Sequence, residues 1–274
     1  MSVKFIATDL DGTLMAPDHL TVTARTVCAL EQAHKRGVKL AVATGRPVSL
    51  TDYVIKQIPF ADYIVCANGA CVFDRAVNEI IYSNLIDNSI AKSIISYFLE
   101  KNIFFDVYVD GRSRYQESTI RYLSDTIFPE GFVEEVKNSM TGYENLLEYL
   151  GNAGIEKITL YSLTDDESAE YTDYLRDLGL EVSVSFEHGL EAAASGVNKA
   201  AAVQSICEKL KITAAEVMAF GDEGNDVPLM KFAGYSFAMG NASDFCKANA
   251  KYIAKSNAED GVADAVEKFV LNNG

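Results

Sequence analysis

Near the N-terminus, a short apolar run ends abruptly in two carboxylates, and this pattern restricts what the chain can fold into. Residues 5–7 are Phe, Ile and Ala and predict a buried strand, after which Asp9, Asp11 and Gly12 follow. An acid at the end of a strand and another in the next loop can converge on one point, where a divalent cation neutralises them and holds a phosphate oxygen. An ordinary strand with an Asp-Gly turn would give the same stretch, so the rest of the chain must decide.

A second strand ends in polar residues of a different kind. Residues 23–36 have apolar positions at helical spacing, and residues 38–43 form another buried strand that stops at Thr44, Gly45 and Arg46. Strand, helix and strand joined by short connections are the unit of a parallel sheet. A proline follows, so these three residues lie at the start of a helix, where free N–H groups favour an anion. A cap threonine with a turn glycine is the alternative.

Two more predicted strands end in the same manner. Residues 64–67 lead into Asn68 and Gly69, which are also a common turn signal. Lys199 stands in the first turn of a later helix, where a cation is unfavourable unless an anion is bound nearby. Residues 217–220 then lead into a second acidic cluster, which consists of Gly221, Asp222, Glu223, Gly224, Asn225 and Asp226.

The carboxyl ends of these strands would meet at one edge of the sheet. In open parallel sheets the functional site lies at that edge, and Asp9, Thr44 and Asp222 all follow strands that end there. With Lys199, they offer a carboxylate nucleophile, metal ligands, a hydroxyl beside N–H groups and a cation, which is what phosphoryl transfer needs. The sequence therefore predicts an α/β fold with a doubly wound parallel sheet and a phosphoryl-transfer site.

The middle of the chain has a different character. Residues 84–189 contain 8 basic and 20 acidic side chains, a net charge of −12, whereas the whole chain carries −15. Helices and strands alternate less regularly there, which is typical of an α+β insertion. We therefore predict a catalytic core formed by residues 1–83 and 190–274 and an inserted cap formed by residues 84–189. Arg112 and Arg114 are a basic pair within the acidic cap.

Composition argues against several kinds of partner. A net charge of −15 disfavours nucleic acids and anionic membranes, because both need a basic surface. The sequence shows no basic, apolar leader and no apolar run of the roughly 18 residues that a membrane helix needs. The five cysteines lack CxxC spacing and suit reduced thiols, so we expect a cytoplasmic protein.

Four stretches in this order resemble the ordered motifs of the haloacid dehalogenase superfamily of phosphatases. They are Asp9-Leu10-Asp11-Gly12-Thr13-Leu14, Thr44-Gly45-Arg46, Lys199, and Gly221-Asp222-Glu223-Gly224-Asn225-Asp226. The insertion after the third strand, with Asn68-Gly69-Ala70, resembles the Cof-type subgroup with a large α/β cap (type IIB). The resemblance covers nearly the whole chain and implies a Rossmann-like core with an inserted cap.

The resemblance also implies a role for each matching residue. Asp9 would be the nucleophile and Asp11 the general acid and base, while phosphate would be bound by Thr44, Gly45, Lys199 and Asn225. Mg²⁺ would be the cofactor, held by Asp9, Asp222 and the backbone carbonyl of Asp11. Residues on the substrate or cap side would be Arg46, Asn68 and Gly69, and residues that support the ligands would be Glu223 and Asp226.

The expected function is that of a magnesium-dependent phosphatase for a small phosphorylated metabolite, such as a sugar phosphate or a cofactor monophosphate. A sugar phosphomutase shares the motifs, and a non-catalytic protein that binds phosphorylated metabolites is a third hypothesis. Asp11 must carry a proton to the leaving group, so we expect its acidic neighbours, and partial burial when the cap closes, to raise its pKa. The acidic cap should disfavour polyanionic substrates, unless its acids only face solvent.

Overall fold

The computed structural model describes residues 2–122, 140–186 and 188–272 of the 274 in the chain. Along the chain, its strands are β1 (Phe5–Thr8), β2 (Lys39–Ala43), β3 (Tyr63–Cys66), β4 (Cys71–Asp74), β5 (Glu79–Ser83), β6 (Phe105–Val109), β7 (Arg112–Gln116), β8 (Met140–Tyr143), β9 (Lys157–Leu160), β10 (Glu181–Phe186), β11 (Gly189–Ala193), β12 (Val217–Gly221), β13 (Tyr235–Ala238) and β14 (Tyr252–Ile253). Its α-helices are α1 (Ala24–Lys35), α2 (Asp52–Ile55), α3 (Asn88–Glu100), α4 (Leu146–Leu150), α5 (Asp165–Asp177), α6 (Lys199–Leu210), α7 (Val227–Phe232), α8 (Asp244–Asn249) and α9 (Gly261–Val266).

The chain divides into two compact units. The first consists of Met1–Arg46, Thr51–Tyr82 and Asn198–Gly274, and the second of Pro47–Leu50 and Ser83–Val197. The second unit is therefore inserted into the first, since the chain leaves the first unit and returns to it. That this insertion acts as a cap stays a prediction.

The first unit is built on an eight-stranded sheet with the order β14-β13-β12-β1-β2-β3-β4-β5. The six strands from β14 to β3 are parallel to their neighbours, while β4 runs antiparallel to β3. Residues of β1 and β12 are all buried, as strands covered on both faces must be. Their apolar side chains explain why continuous apolar runs, rather than alternating ones, mark these strands in the sequence.

Strand order places the functional edge of this sheet. The central strand β1 pairs with β2 on one side and with β12 on the other, although β12 follows some two hundred residues later in the chain. The loops after β1, β2 and β12 therefore leave the same edge of the sheet at neighbouring positions. Such a reversal of strand order is where open α/β sheets form their ligand-binding crevice.

The second unit contains a six-stranded sheet with the order β10-β11-β9-β6-β7-β8. Apolar side chains on one face pack against α3 and α5, where Phe98 contacts Phe105 and Tyr171 with ring centroids 6.1 and 5.1 Å apart. Strand alternation and register place Asp106, Lys157 and Glu191 on the opposite face. The second unit is thus an α+β structure whose sheet has one apolar and one polar face.

Several buried polar residues on that face bond to one another. Lys157 donates to Glu191 and lies 4.7 Å from the ring centroid of Tyr108. Asp106 accepts hydrogen bonds from Ser113 and from the hydroxyl of Tyr161. Burial raises the pKa of Asp106 to about 6, although these donors and the charge of Lys157 act in the opposite direction.

All five cysteines lie in the described part of the chain: Cys28 is exposed, and the other four are buried, with Cys66 Sγ 2.7 Å from Cys71 Sγ. Cys28 differs from the others by its position on the outer side of α1. Within the described part of the chain, each helix is too short or too polar to cross a lipid bilayer.

Candidate active site

The site is organised around a lysine buried between two carboxylates. Lys199 begins α6, whose first turn is capped by the side chain of Asn198 through the N–H of Ala201 at 2.9 Å. The Lys199 ammonium is fully buried and lies 2.7 Å from Asp9 Oδ1 and 2.7 Å from Asp226 Oδ1. Burial lowers the pKa of Lys199, but the charges of Asp226 and Asp9 outweigh it and raise the pKa above its ordinary value. Lys199 is therefore a cation that joins residues from three distant parts of the sequence.

Asp9 is placed by the parallel sheet itself. Its N–H donates to the carbonyl of Phe220 at 3.1 Å, which extends the pairing of β1 with β12 by one residue. The side chain is 11% exposed, so the carboxylate is almost entirely buried. Main-chain pairing therefore fixes the backbone of Asp9 at the end of β1, and the bond to Lys199 orients its carboxylate.

Asp226 shapes the loop after β12. One carboxylate oxygen binds Lys199, and the other accepts from the N–H groups of Asp222 at 2.9 Å and Glu223 at 3.1 Å. Both oxygens of Asp226 are thus engaged in bonds that hold the loop and the lysine. The side chain of Glu223 is exposed, and its contribution to this contact comes from its main chain.

Asp222 completes an acidic cluster with Asp9 and Asp226. One carboxylate oxygen from each of these three residues lies within 4.8 Å of the other two. Asp222 Oδ1 accepts from the hydroxyl of Thr13 at 2.8 Å, and its Oδ2 would be 2.1 Å from a Cβ at position 12. Gly12, with φ +69°, is therefore required both by its backbone conformation and by the space that Asp222 occupies.

The acidic cluster has the donor set of a divalent cation site. Burial raises the pKa of Asp9 well above its usual range even though Lys199 lowers it, and burial with the charge of Asp226 raises the pKa of Asp222 to about 7. A bound divalent cation would favour the ionised forms of these carboxylates, which burial and mutual repulsion disfavour. Oxygen ligands such as these suit Mg²⁺. Asp9 and Asp222 fit as ligands, because Asp226 already uses both oxygens. The predicted ligation by the backbone carbonyl of Asp11 stays a prediction.

Asp11 is held by two basic side chains. Arg46 donates from Nε to Asp11 Oδ2 at 2.8 Å and from Nη2 to Oδ1, and His19 Nδ1 lies 2.7 Å from the same Oδ1. Burial raises the pKa of Asp11, but the bonds and charges of His19 and Arg46 prevail and lower the pKa to about 2. The expectation of a raised pKa was therefore wrong. The sequence reasoning considered the acidic neighbours and missed the contact with Arg46 and His19.

The loops after β2 and β3 meet beside this cluster. The hydroxyl of the buried Thr44 accepts from the N–H of Arg46 at 3.2 Å. A Cβ at Gly45 would lie 2.9 Å from Asn68 Oδ1, which also accepts from Asn225 Nδ2 at 3.1 Å. Gly69 packs so closely on Asn198 that a Cβ there would be 2.3 Å from its carbonyl oxygen. The loops after β2, β3 and β12 and the segment before α6 are therefore in direct contact within the first unit.

Arg112 and Arg114 lie in the second unit and differ in environment. Arg114 is 8% exposed, donates to the hydroxyl of Tyr149 at 3.0 Å and lies 6.0 Å from the ring centroid of Tyr143. Arg112 is exposed. The two arginines therefore do not form a paired cationic surface, and Arg114 contributes to packing between β7, β8 and α4.

Thr13, His19 and Tyr53 are contact residues that the sequence reasoning did not single out. Thr13 belongs to the first motif and could have been recognised as a hydroxyl donor to a nearby acid. His19 and Tyr53 are separated from Asp11 by a loop and by a strand and helix, so no spacing rule connects them. Their contacts become visible only once the loop after β1 and the segment after β2 are placed together.

The family is decided by a match over most of the chain. The family model of the haloacid dehalogenase-like hydrolases matches residues 6–266. This chain belongs to that family. Both the superfamily identification and the predicted α/β fold class are confirmed.

Similar haloacid dehalogenase-like proteins carry names of phosphatases. The chain is 30% identical to the 5-amino-6-(5-phospho-D-ribitylamino)uracil phosphatase YcsE of Bacillus subtilis, over 99% of this chain and 97% of that protein. It is 26% identical to the pyridoxal phosphate phosphatase YbhA of Escherichia coli, over 99% of this chain and 100% of that protein. Among solved structures, a haloacid dehalogenase-like hydrolase from Bacteroides thetaiotaomicron is similar with a TM-score of 0.83 and 25% identity, over 97% of this chain and 99% of that one.

Proposed function

We propose that this chain is a magnesium-dependent phosphatase that hydrolyses a small phosphorylated metabolite through an aspartyl-phosphate on Asp9. The observation that carries the proposal is the convergence of Asp9, Lys199 and Asp222 at the carboxyl edge of one parallel sheet. The enzyme class predicted from the sequence, a phosphomonoesterase, is confirmed by the family and its named relatives. The names of those relatives, which concern a ribityl phosphate and pyridoxal phosphate, support a small phosphate ester as substrate.

The reaction follows from the side chains in two steps. An oxygen of Asp9 attacks phosphorus, and the bond from phosphorus to the leaving oxygen breaks. Asp11 gives that oxygen a proton; because the contacts with His19 and Arg46 lower the pKa of Asp11, the bond from Arg46 Nε to Oδ2 must give way before Asp11 acts as the acid. Water then attacks the phosphorus of the aspartyl-phosphate and gives a proton to Asp11, which releases inorganic phosphate and free Asp9. Lys199 keeps its charge throughout and binds phosphate oxygens, with Thr44, Gly45 and Asn225 as the further phosphate-binding residues of the proposal.

Asp9 and Asp222 would hold the cation, and when bound it would screen the charge between the acids and the phosphate. Asp226 and Glu223 support these residues by fixing the loop after β12. Arg46 contacts Asp11, Asn68 lies beside Gly45, and Gly69 lies against Asn198. We propose that these three residues face the substrate.

Removal of divalent cations is expected to abolish the activity. Without a cation, Asp9 and Asp222 would face a phosphate dianion unscreened, so turnover should fall at least about a hundredfold in EDTA and recover with added Mg²⁺. The measurement is release of inorganic phosphate from p-nitrophenyl phosphate and from a panel of sugar phosphates and pyridoxal phosphate. Full activity in the chelator would contradict the magnesium proposal. A requirement for a bisphosphate activator would instead indicate a phosphomutase, and no turnover with any ester would indicate a binding protein.

Monophosphates with neutral leaving groups are expected to be better substrates than bisphosphates. In the described part of the second unit, Lys157 is paired with Glu191 and Arg114 is enclosed by tyrosines, so neither is available for a second phosphate, whereas Arg112 is exposed. The net charge of residues 84–189, −12, acts in the same direction, although many acids of α5 face solvent. The test compares kcat/KM for a hexose monophosphate and the matching bisphosphate at low and high salt. Preference for the bisphosphate at low salt, lost in the Arg112→Ala variant, would overturn this expectation.

A further inference from the structure

The contact between His19 and Asp11 has no place in the mechanism above. His19 Nδ1 lies 2.7 Å from Asp11 Oδ1, and both side chains are half-buried, with 32% and 36% of their surface exposed. The two oxygens of Asp11 are unequal, because Oδ1 accepts from both His19 and Arg46 Nη2, whereas Oδ2 accepts from Arg46 Nε. An oxygen that accepts two charge-assisted hydrogen bonds is held more firmly than one that accepts a single bond.

The loop after β1 is built to present His19. Its backbone has φ +58°, in the left-handed region that few residues other than glycine, Asn, Asp and His adopt. The N–H of His19 donates to the carbonyl of Ala16 at 3.0 Å. The Asp18 carboxylate accepts from the N–H groups of Leu20 and Thr21 at 2.9 Å each, which closes the turn around His19. The imidazole therefore points at Asp11 from a loop whose conformation is fixed by its own hydrogen bonds.

Tyr53 connects the two basic side chains that hold Asp11. Arg46 Nη1 donates to the hydroxyl of Tyr53, and that hydroxyl donates to the carbonyl of His19 at 2.8 Å. The guanidinium also lies over the Tyr53 ring, 5.6 Å from its centroid. One phenol on α2 thus fixes both partners of Asp11 relative to each other.

We propose that His19, held by Tyr53, is a positioning residue that anchors Oδ1 of Asp11 and leaves Oδ2 as the oxygen that exchanges the proton with the leaving group. For Oδ2 to reach the leaving oxygen, its bond with Arg46 Nε must be replaced, and the bonds of His19 and Arg46 Nη2 to Oδ1 would keep the carboxylate oriented during that exchange. Proton transfer requires hydrogen-bond reach, and small misplacements of an acid reduce its contribution strongly. This inference rests on the proposed phosphatase function of the site.

The test uses two esters that differ in their need for an acid. An alkyl phosphate, such as glycerol phosphate, needs a proton on its leaving oxygen, whereas p-nitrophenolate leaves without one. The parameter kcat/KM reports the steps up to cleavage of the ester, so the ratio of its values for the two esters isolates help to the leaving group. Damage to folding or to phosphate binding lowers both values together and leaves the ratio unchanged.

Three variants and a matched control separate the possibilities. His19→Gly removes the imidazole and accepts the positive φ, His19→Asn retains an N–H donor near the place of Nδ1, and Tyr53→Phe removes the connecting hydroxyl. The control is His34→Asn, because His34 forms a similar pair with Asp62 at 3.4 Å and is also 32% exposed, yet lies on α1. Asp11→Asn gives the ratio for complete loss of the acid.

We expect His19→Gly to lower kcat/KM for the alkyl phosphate about thirtyfold and for the aryl phosphate less than about threefold, within the range of general acid catalysis. His19→Asn should recover most of the alkyl activity, Tyr53→Phe should fall between the two, and His34→Asn should match wild type. Equal losses on both esters in His19→Gly, or no loss, would overturn the positioning role alone. The alkyl ester is one that wild type hydrolyses in the panel above; if wild type hydrolyses no ester of that panel, the proposed function fails, and this inference fails with it.

Discussion

Asp9→Asn is expected to reduce phosphate release by at least about four orders of magnitude while the protein stays folded. The change removes the attacking charge without a change in volume, and the amide is a poor nucleophile. Lys199 keeps its partner Asp226 at 2.7 Å, so the buried ammonium remains paired in the variant. Phosphate release under single-turnover and steady-state conditions measures the first effect, and urea unfolding measures the second.

A matched control for this variant is Asp264→Asn. Asp264 also accepts from a lysine, Lys255 at 2.8 Å, but its side chain is 39% exposed and lies on α9, away from the acidic cluster. The control should retain wild-type turnover, which excludes a general effect of losing an acid that binds lysine. Turnover of Asp9→Asn within tenfold of wild type would show that another group attacks the phosphate.

The sequence was most informative where main-chain pairing determines position. Asp9, Thr44 and Asp222 each follow a buried strand, and parallel pairing of β1 with β2 and β12 requires their loops to leave the sheet together. Apolar runs therefore predicted the edge on which these residues lie. The helix predicted over residues 23–36 corresponds to α1, Ala24–Lys35, because its cap and its apolar spacing are local signals.

The sequence did not show in which direction the loop side chains point. Asp11 was expected near acids, yet its carboxylate contacts Arg46 and His19, because the loop after β1 folds back with its own turn at Asp18. The acids near Asp11 in the sequence therefore predicted a raised pKa, whereas the pKa is lowered. Long-range contacts between loops decided the electrostatics instead.

The second unit shows a similar limit. The net negative charge of residues 84–189 is a property of composition, and it does not say which acids face solvent. In the described part of that unit, Asp165, Asp166 and Glu170 are exposed on α5, whereas Asp106 is buried within the sheet. A net charge taken from composition alone adds together the acids that could affect substrate binding and the acids that only face solvent.

Lys199→Met is expected to destabilise the metal-free protein by about 3–5 kcal/mol, since removal of one member of a buried ion group leaves the others without compensation. Asp9 and Asp226 would lose the cation that both contact at 2.7 Å, in a site where burial already raises the pKa of Asp9. Urea unfolding in EDTA at neutral pH measures the loss. Lys255→Met is the control, because Lys255 is 53% exposed in its pair with Asp264, and such surface pairs contribute about 1 kcal/mol or less.

The same variant separates two roles of the lysine. If Lys199 only neutralises the acids, Mg²⁺ should restore both stability and turnover in Lys199→Met, because a divalent cation can replace the missing charge. If Lys199 also binds the phosphate, as proposed, Mg²⁺ should raise the unfolding midpoint more in the variant than in wild type, while turnover stays at least about a hundredfold lower. A stability loss below about 1 kcal/mol would show that the buried ion group is not held together by Lys199. Full recovery of turnover with Mg²⁺ would remove Lys199 from the phosphate-binding residues and leave it as a structural partner of Asp9 and Asp226.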